Sequence, residues 1–236
     1  AFDEAARDDE VRVIILAADG KHFSAGHDLR ADTDMSDIDP LGTWCCFDAE
    51  GAEGYMAKEA EMYVGLCWRW RNIPKPTIAQ VHGKVIAGGL MLMWPMDLVV
   101  CSHDATFSDP VVAFGVNGHE YFTHPFEAGA RLAKEMLFTG RSITADEALR
   151  CGMVNTVVAR DDLESTTLAM AERIAQRPMI GLTLAKQSVN NTLDQMGMYT
   201  SIQSAFALHH VGHNHNARVH GMIVDPAGTQ VIRDEA

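Results

Sequence analysis

The chain has 236 residues, 47% of them hydrophobic and 22% charged, which suits one large domain with a sizeable core. A formal net charge of −13 at pH 7 argues against a nucleic-acid surface, and no apolar run is long enough for a membrane span, so neither partner is expected. Five cysteines without a Cys-x-x-Cys spacing suit free thiols in a reducing compartment, and a cytoplasmic location is the expectation.

Residues 2–7 read as the end of an amphipathic helix, as if the chain began inside an element. Residues 11–17 form a β-branched run that predicts a buried parallel strand. Through the turn Asp19-Gly20-Lys21 it enters a small-residue loop that contains Ala25, Gly26 and His27. Ligand sites of α/β folds lie in such loops after strands. Gly26 permits an unusual backbone angle there and leaves the amide of His27 able to point outward; an ordinary turn with Asp28 as a helix cap accounts for the same residues. Residues 32–54 are acidic and aperiodic, a loop or short helices near a site mouth. Trp44, Cys45, Cys46 and Phe47 in it either line an apolar pocket or pack locally. Residues 55–72 have helical spacing, with Tyr63, Leu66, Trp70 and Ile73 for one apolar face, and Pro74 and Pro76 end the helix.

The next stretch, PTIAQVHGKVIAGGLMLM over residues 76–93, organises the rest. Residues 77–81 predict a buried strand and Gly83 a turn, and Ala87-Gly88-Gly89 opens a buried helix that runs on to residue 98. Two adjacent glycines weaken a helix interior but are useful at its start, where the first amides have no internal partner and the dipole is positive. Such an end can hold an oxygen that gains negative charge during a reaction; close helix–strand packing is the alternative use of the pair.

Residues 97–101 and 105–108 read as further strands, Asp109-Pro110 as a turn, and residues 111–116 as an apolar segment before the polar and aromatic patch His119-Glu120-Tyr121. Residues 127–138 predict a helix, Thr144 with Glu147 a capping box, and residues 154–158 a strand. Beyond residue 160 the pattern is helical: 163–177, 179–193 and 197–210. The chain thus divides into an α/β part, 1–160, and a helical region, 161–236, of the kind that serves subunit contacts. His209, His210, His213, His215 and His220 fall in that region. Their spacing invites a metal reading, but no cysteine or carboxylate lies among them, so structural or interface histidines are expected and no metal site.

Three motifs carry a resemblance when taken together. HFSAGHDLR (22–30), KPTIAQVHGKVIAGGLMLMWPMDLVVCSHDATFSDPVVAFGV (75–116) and FTGRSITADEALRCGMVNTVV (138–158) resemble, in order and spacing, the crotonase superfamily, also called the enoyl-CoA hydratase/isomerase family. The resemblance implies an α/β fold, a crotonase-like spiral of ββα turns with a C-terminal helical trimerisation region. It implies homotrimers or hexamers, and an acyl-CoA thioester as ligand, with coenzyme A part of the substrate and no separate cofactor. The family holds the thioester oxygen between two backbone amides, which fall here on His27, after Ala25-Gly26, and on Gly88, beside Gly89. Both donors are peptide N–H groups, so the side chain of His27 is of little consequence on this reading. Asp28, Leu29 and Arg30 match the loop that holds the adenine part of coenzyme A, with Arg30 or Lys21 as the expected partner of its phosphates.

The chain departs from the family at the two glutamates that the hydratases use as acid and base on a water. Those positions are Met91 and Val111, which exchange no protons and instead enlarge the dry part of the substrate pocket. The usual hydration route therefore lacks its acid–base pair. Other members place a carboxylate on the loop after the Val111 segment, where this chain has His119 and Glu120. Glu120 is either a base with a raised pKa in an apolar pocket, acting at the α or γ carbon, or a surface residue at a helix start. Asp109 reads as a turn residue. Three function classes follow: an enzyme with hydratase- or isomerase-like chemistry, a binding module that retains acyl-CoA without catalysis, and a metal-dependent protein that uses the C-terminal histidines.

Overall fold

The structure, a computed structural model, describes residues 1–27 and 46–235. The expectations for residues 28–45 lie outside the described residues; they include Asp28, Leu29, Arg30 and much of the acidic segment.

Helix α1 (Phe2–Arg7) leads into strand β1 (Ile14–Leu16). Helices α2 (Ala52–Glu59) and α3 (Leu66–Arg71) flank a π-helical stretch, Ala60–Gly65, so residues 52–71 form one continuous helical run. Strands β2 (Thr77–Val81) and β3 (Lys84–Ile86) precede helix α4 (Gly88–Met93). Strands β4 (Leu98–Ser102) and β5 (Thr106–Ser108) precede a 3₁₀ turn at Val111–Phe114 and helices α5 (His124–Glu127) and α6 (Ala130–Thr139). Strand β6 (Ile143–Thr144), helix α7 (Ala145–Cys151) and strand β7 (Thr156–Val158) complete the mixed part. Helices α8 (Leu163–Ala175), α9 (Met179–Gln195), α10 (Met198–His220) and α11 (Gly228–Glu235) follow.

The strands form two sheets. A four-stranded parallel sheet has the order β1-β2-β4-β7, and a three-stranded one the order β3-β5-β6, with β6 antiparallel. Successive turns of the chain give one strand to each sheet and then a helix: β2, β3, α4, then β4, β5 and the 3₁₀ turn. Gly83, at φ 58°, supplies the tight passage from the first sheet to the second. This is the ββα spiral that the sequence motifs imply.

Burial follows the strand period. Ala79, Val81, Val99 and Cys101 face the main core, with Val85, Leu90, Met93 and Phe107. Ile78 and Val100 point the other way, onto Leu163 and Ala171 of α8. A third cluster joins the π-helical stretch to α10 through Val64, Cys67, Met91, Tyr121, Ile202 and Phe206. Among the described residues no helix is long and apolar enough to cross a membrane.

Several expected boundaries move. The strand over residues 11–17 shortens to β1, and it is half-buried because it is an edge strand. The helix after the glycine pair stops at Met93, well short of residue 98, because Leu98 already belongs to β4. The helix over 127–138 splits at Gly129, whose φ of 75° no helix interior accepts. The last long helix runs to His220, where Gly221 at φ 72° caps it.

The capping box is formed as expected. Thr144 Oγ1 accepts from the backbone N–H of Glu147, and the Glu147 carboxylate accepts from the N–H of Thr144. That bond, with those from Arg141, holds the Glu147 carboxyl down at about 2. A depressed carboxylate stabilises the fold above its unfolded pKa and loses that contribution as pH falls through the folded value. Thr144→Ala is expected to lower stability by about 1 kcal/mol at pH 7. The deficit should shrink as pH falls from about 4.5 toward 2, which denaturant melts across that range will measure.

Candidate active site

The loop at residues 23–27 is stitched to β3 as a short extra strand. Phe23 N–H donates to His82 O (2.8 Å), Ser24 N–H to Lys84 O (3.2 Å), and Ile86 N–H to Ser24 O (3.0 Å). The seam leaves no room for side chains beyond it. A Cβ on Gly26, which sits at φ +85°, would lie 2.9 Å from Ile86 O and 3.6 Å from Gly88 N. One on Gly89 would lie 2.8 Å from Ser24 O. Both glycines are therefore needed for two backbones to touch. Ala87, between them, adopts φ 44°, unusual for a residue with a side chain. Its N–H donates to Ser108 O (2.9 Å) and its carbonyl accepts from Leu90 N–H (2.8 Å), which holds the strained turn at the head of α4. Among the described residues, the N–H groups of His27 and Gly88 have no acceptor.

These two turns open onto a cavity of about 310 Å³. Gly26, His27, Gly88 and Met91 line it, as the sequence suggested, together with Ser24, Leu92 and the aromatic and aliphatic side chains of Met62, Tyr63, Leu66, Cys67 and Trp70. The His27 ring reaches into this space. It stands 3.2 Å, at Nδ1, from where a Cβ on Gly88 would be, and meets the Tyr63 ring edge-on at 5.0 Å. The surrounding walls lower its pKa from the ordinary histidine value, against the pull of the Glu59 and Asp109 charges. Its side chain thus lines the cavity beside the backbone N–H that the sequence motif singled out.

Tyr63, Leu66 and Trp70, expected to share one apolar face of their helix, are half-buried and line the cavity together. The face turned to the core carries Ala57, Ala60, Val64 and Cys67. Cys67 Sγ donates to Met91 O (3.2 Å) and ties this helix to α4 across the cavity wall.

The other expected site residues sit apart from the cavity. Lys21 and Ala25 are exposed, Gly89 is buried behind the head of α4, and Val111 is half-buried at the start of the 3₁₀ turn. Glu120 is buried and belongs to no helix, which removes the surface reading. Burial, and then the charge of Glu59, push its pKa well above the usual carboxylate range. Its Oε1 lies 3.5 Å from His209 Nε2 and its Oε2 has no hydrogen-bond partner among the described residues. After their own burial, the charge of Glu120 is the next cause that raises the pKa of Tyr63 and of Cys67. His119 is buried with both ring nitrogens unpartnered, its ring 5.0 Å from that of Trp94 and 4.5 Å from that of His124. Burial drives its pKa far down, so the ring is neutral at pH 7.

Asp109 is more than a turn residue. It is fully buried; Oδ2 accepts from His119 N–H (2.8 Å) and pairs with His124 Nε2 (2.8 Å), while Oδ1 accepts from Val111 N–H (3.4 Å). Burial alone would raise its pKa, but the bonds from the two histidine residues and their charge outweigh it and hold the carboxyl at about 2. Of the five C-terminal histidines, His209, His210 and His213 are buried and His215 and His220 exposed. Glu59 of α2 meets the buried three, with Oε2 3.1 Å from His210 Nε2. Sequence spacing could not have found it, because a distant helix supplies it.

The family model for enoyl-CoA hydratase/isomerase matches residues 1–224. The chain belongs to the enoyl-CoA hydratase/isomerase family. Within this family it is 44% identical over 228 residues to EchA13 of Mycobacterium tuberculosis, an enoyl-CoA hydratase in name, covering 94% of this chain and 72% of that one. A mouse mitochondrial protein, enoyl-CoA hydratase domain-containing protein 3, is 33% identical over 195 residues, or 80% of this chain; the chain spans only 59% of its length. A crystal structure from Mycobacterium smegmatis, described as a probable enoyl-CoA hydratase, superposes with a TM-score of 0.86 at 49% identity, covering 95% of this chain and 85% of that one. The fold is that of the crotonase superfamily.

The close approach at Gly26 can be separated from its backbone angle. Gly20 has a similar φ of +86°, and a Cβ there would meet nothing within 4 Å. Gly20→Ala is expected to cost about 1–2 kcal/mol from backbone strain alone. Gly26→Ala should cost clearly more, and equal losses in paired thermal melts would mean that the seam with β3 is looser than described.

Proposed function

We propose that the chain is an enzyme acting on acyl-CoA thioesters, and that it polarises the thioester carbonyl between the N–H groups of His27 and Gly88. The observation that carries this reading is the meeting of two glycine-dependent turns at one apolar cavity, each presenting an N–H without an acceptor among the described residues. Two fixed donors aimed at one oxygen stabilise it most when it gains charge, as in an enolate, and a dry cavity strengthens them. The walls formed by Tyr63, Leu66, Trp70 and Met91 suit an apolar acyl chain. Coenzyme A enters as part of the substrate, with Lys21, Asp28, Leu29 and Arg30 as its proposed contacts, and no further cofactor is invoked. The expected location is the cytoplasm.

Proton transfer is where the chain departs from the hydratases. Met91 lines the cavity and Val111 does not, and neither exchanges protons. Glu120 is the proposed proton carrier, with His119 beside it. Its support is that it is buried, has an oxygen without a partner among the described residues, and acts electrostatically on Tyr63 and Cys67 of the wall. To reach substrate it must turn past that wall. A second reading, an acyl-CoA-binding protein without catalysis, draws on the same fact: no carboxylate lines the cavity among the described residues.

Steady-state assays on a panel of enoyl-CoAs, with mass spectrometry of the products, decide between the two. The enzyme reading expects turnover by the wild type and a loss of roughly 100-fold or more in kcat for Glu120→Gln. Unchanged turnover in the variant removes Glu120 from the chemistry. Calorimetric binding without any product supports the binding module.

A homotrimer or hexamer is also proposed. Ile180, Leu184 and Val189 of α9 and Leu208 and Val211 of α10 are exposed, more apolar surface than an isolated helical face presents to water. Light scattering on the purified chain is expected to give three or six copies, and a monomer at micromolar concentration would overturn this.

A further inference from the structure

We propose that Glu59, His209 and His213 form a binding site for one first-row divalent metal ion, best suited to Zn²⁺, that clasps α10 to α2. The proposal rests on the geometry of the three side chains and does not depend on the catalytic reading above. All three are buried, at 3%, 3% and 6% exposure, and their ligand atoms lie within 4.8 Å of one another.

The hydrogen bonds on the far side of each ring decide what faces the centre. His209 Nδ1 is 2.8 Å from the carbonyl of Gly118, and His213 Nδ1 is 2.7 Å from that of Ile223. A carbonyl only accepts, so each Nδ1 carries a hydrogen, and Nε2 is the ring atom left to face a metal ion. This is how a protein orients a metal-binding histidine, with the outer N–H fixed on a carbonyl. His213 Nε2 stands 3.7 Å from Glu59 Oε1. Around the trio, His210 Nε2 stands 3.1 Å from Glu59 Oε2, Tyr55 bonds the same carboxylate, and Glu120 Oε1 stands 3.5 Å from His209 Nε2; among the described residues the Nε2 atoms of His209 and His213 have no hydrogen bond of ordinary geometry.

Two imidazole nitrogens and a carboxylate that converge in a buried space make a ready set of cation ligands. A metal ion serves all three at once, at about 2.0–2.2 Å from each, after the side chains draw in by about 1 Å or less. Two imidazoles and one carboxylate, with His209 and His213 four residues apart on one helix, favour Zn²⁺ over the oxygen-loving Mg²⁺ and Ca²⁺. The neighbouring trio Asp109, His119 and His124 is no rival, because His124 Nε2 and Asp109 Oδ2 already satisfy each other at 2.8 Å.

The test uses the full chain without an affinity tag, stripped with a chelator and titrated with Co²⁺ as a coloured stand-in for Zn²⁺. One equivalent of Co²⁺ is expected to give visible d–d absorption that Zn²⁺ abolishes, with a rise in melting temperature. Glu59→Gln and His213→Gln should weaken uptake by roughly 100-fold, while His215→Gln, on the exposed side of α10, should leave it unchanged. In the wild type, nitrogen NMR should show Zn²⁺ shifting the Nε2 resonances of His209 and His213, a readout that needs no variant to fold. Absence of d–d absorption at equimolar Co²⁺, unshifted Nε2 resonances, or uptake that survives in a folded His213→Gln overturns the site.

Discussion

The site depends on a three-bond parallel seam between residues 23–26 and β3. The seam brings the turn after the first strand against the head of α4, two segments that are far apart in sequence. Register matters here more than strength. A slip of one residue would move Gly26 off Ile86 and put a side chain where the backbones now touch. Ala87 pays for the same proximity with a strained φ, a penalty of about 1–3 kcal/mol. That strain is held by Ser108 of β5 and by the fully buried Val85 and Leu90 on either side. The local geometry of the site is therefore inherited from the two-sheet spiral, which sets β3 between the loop and β5.

Behind the apolar cavity wall lies a layer of buried acids and imidazoles, and the degree to which each is satisfied sorts their roles. A buried carboxylate costs several kcal/mol unless its oxygens are partnered. Asp109 has partners on both oxygens and stays ionised, so it reads as an anchor that fixes the loop carrying His119. Glu120 has a histidine near one oxygen and nothing on the other, and its pKa moves up accordingly. Glu59 is drawn down instead, because the histidine partners and Tyr55 together outweigh its burial. Buried polar groups left partly unsatisfied are candidates for a functional role, and Glu120 is one of these among the described residues.

Much of this was legible in the residues. The runs that became β2, β4 and β5, the glycine pair at α4 and the Thr144–Glu147 box depend on neighbours in sequence, and local pattern found them. The errors have one physical source, contacts made at long range. Asp109 looked like a turn residue because its partners lie ten and fifteen positions onward in the chain. The C-terminal histidines looked bare of carboxylates because Glu59 reaches them from α2. The turns at Gly26 and Gly88 were picked out by motif, yet their close approach is a property of the seam.

The apolar pair Met91 and Val111 separates two parts of the chemistry that hydratases of this family combine. Polarising a thioester needs only backbone donors, which a substitution of side chains leaves intact. Choosing what the resulting enolate does needs a proton donor or acceptor at a particular carbon, and that choice belongs to side chains. Met91 removes that group from the cavity wall while keeping the wall itself, because its carbonyl still takes the Cys67 thiol and its side chain still packs on Tyr121 and Phe206. Methionine is also the most adaptable of the large apolar side chains. Glu120, buried with one oxygen unpartnered among the described residues, is costly where it stands, and the proposed role in proton transfer is what would give that cost a use.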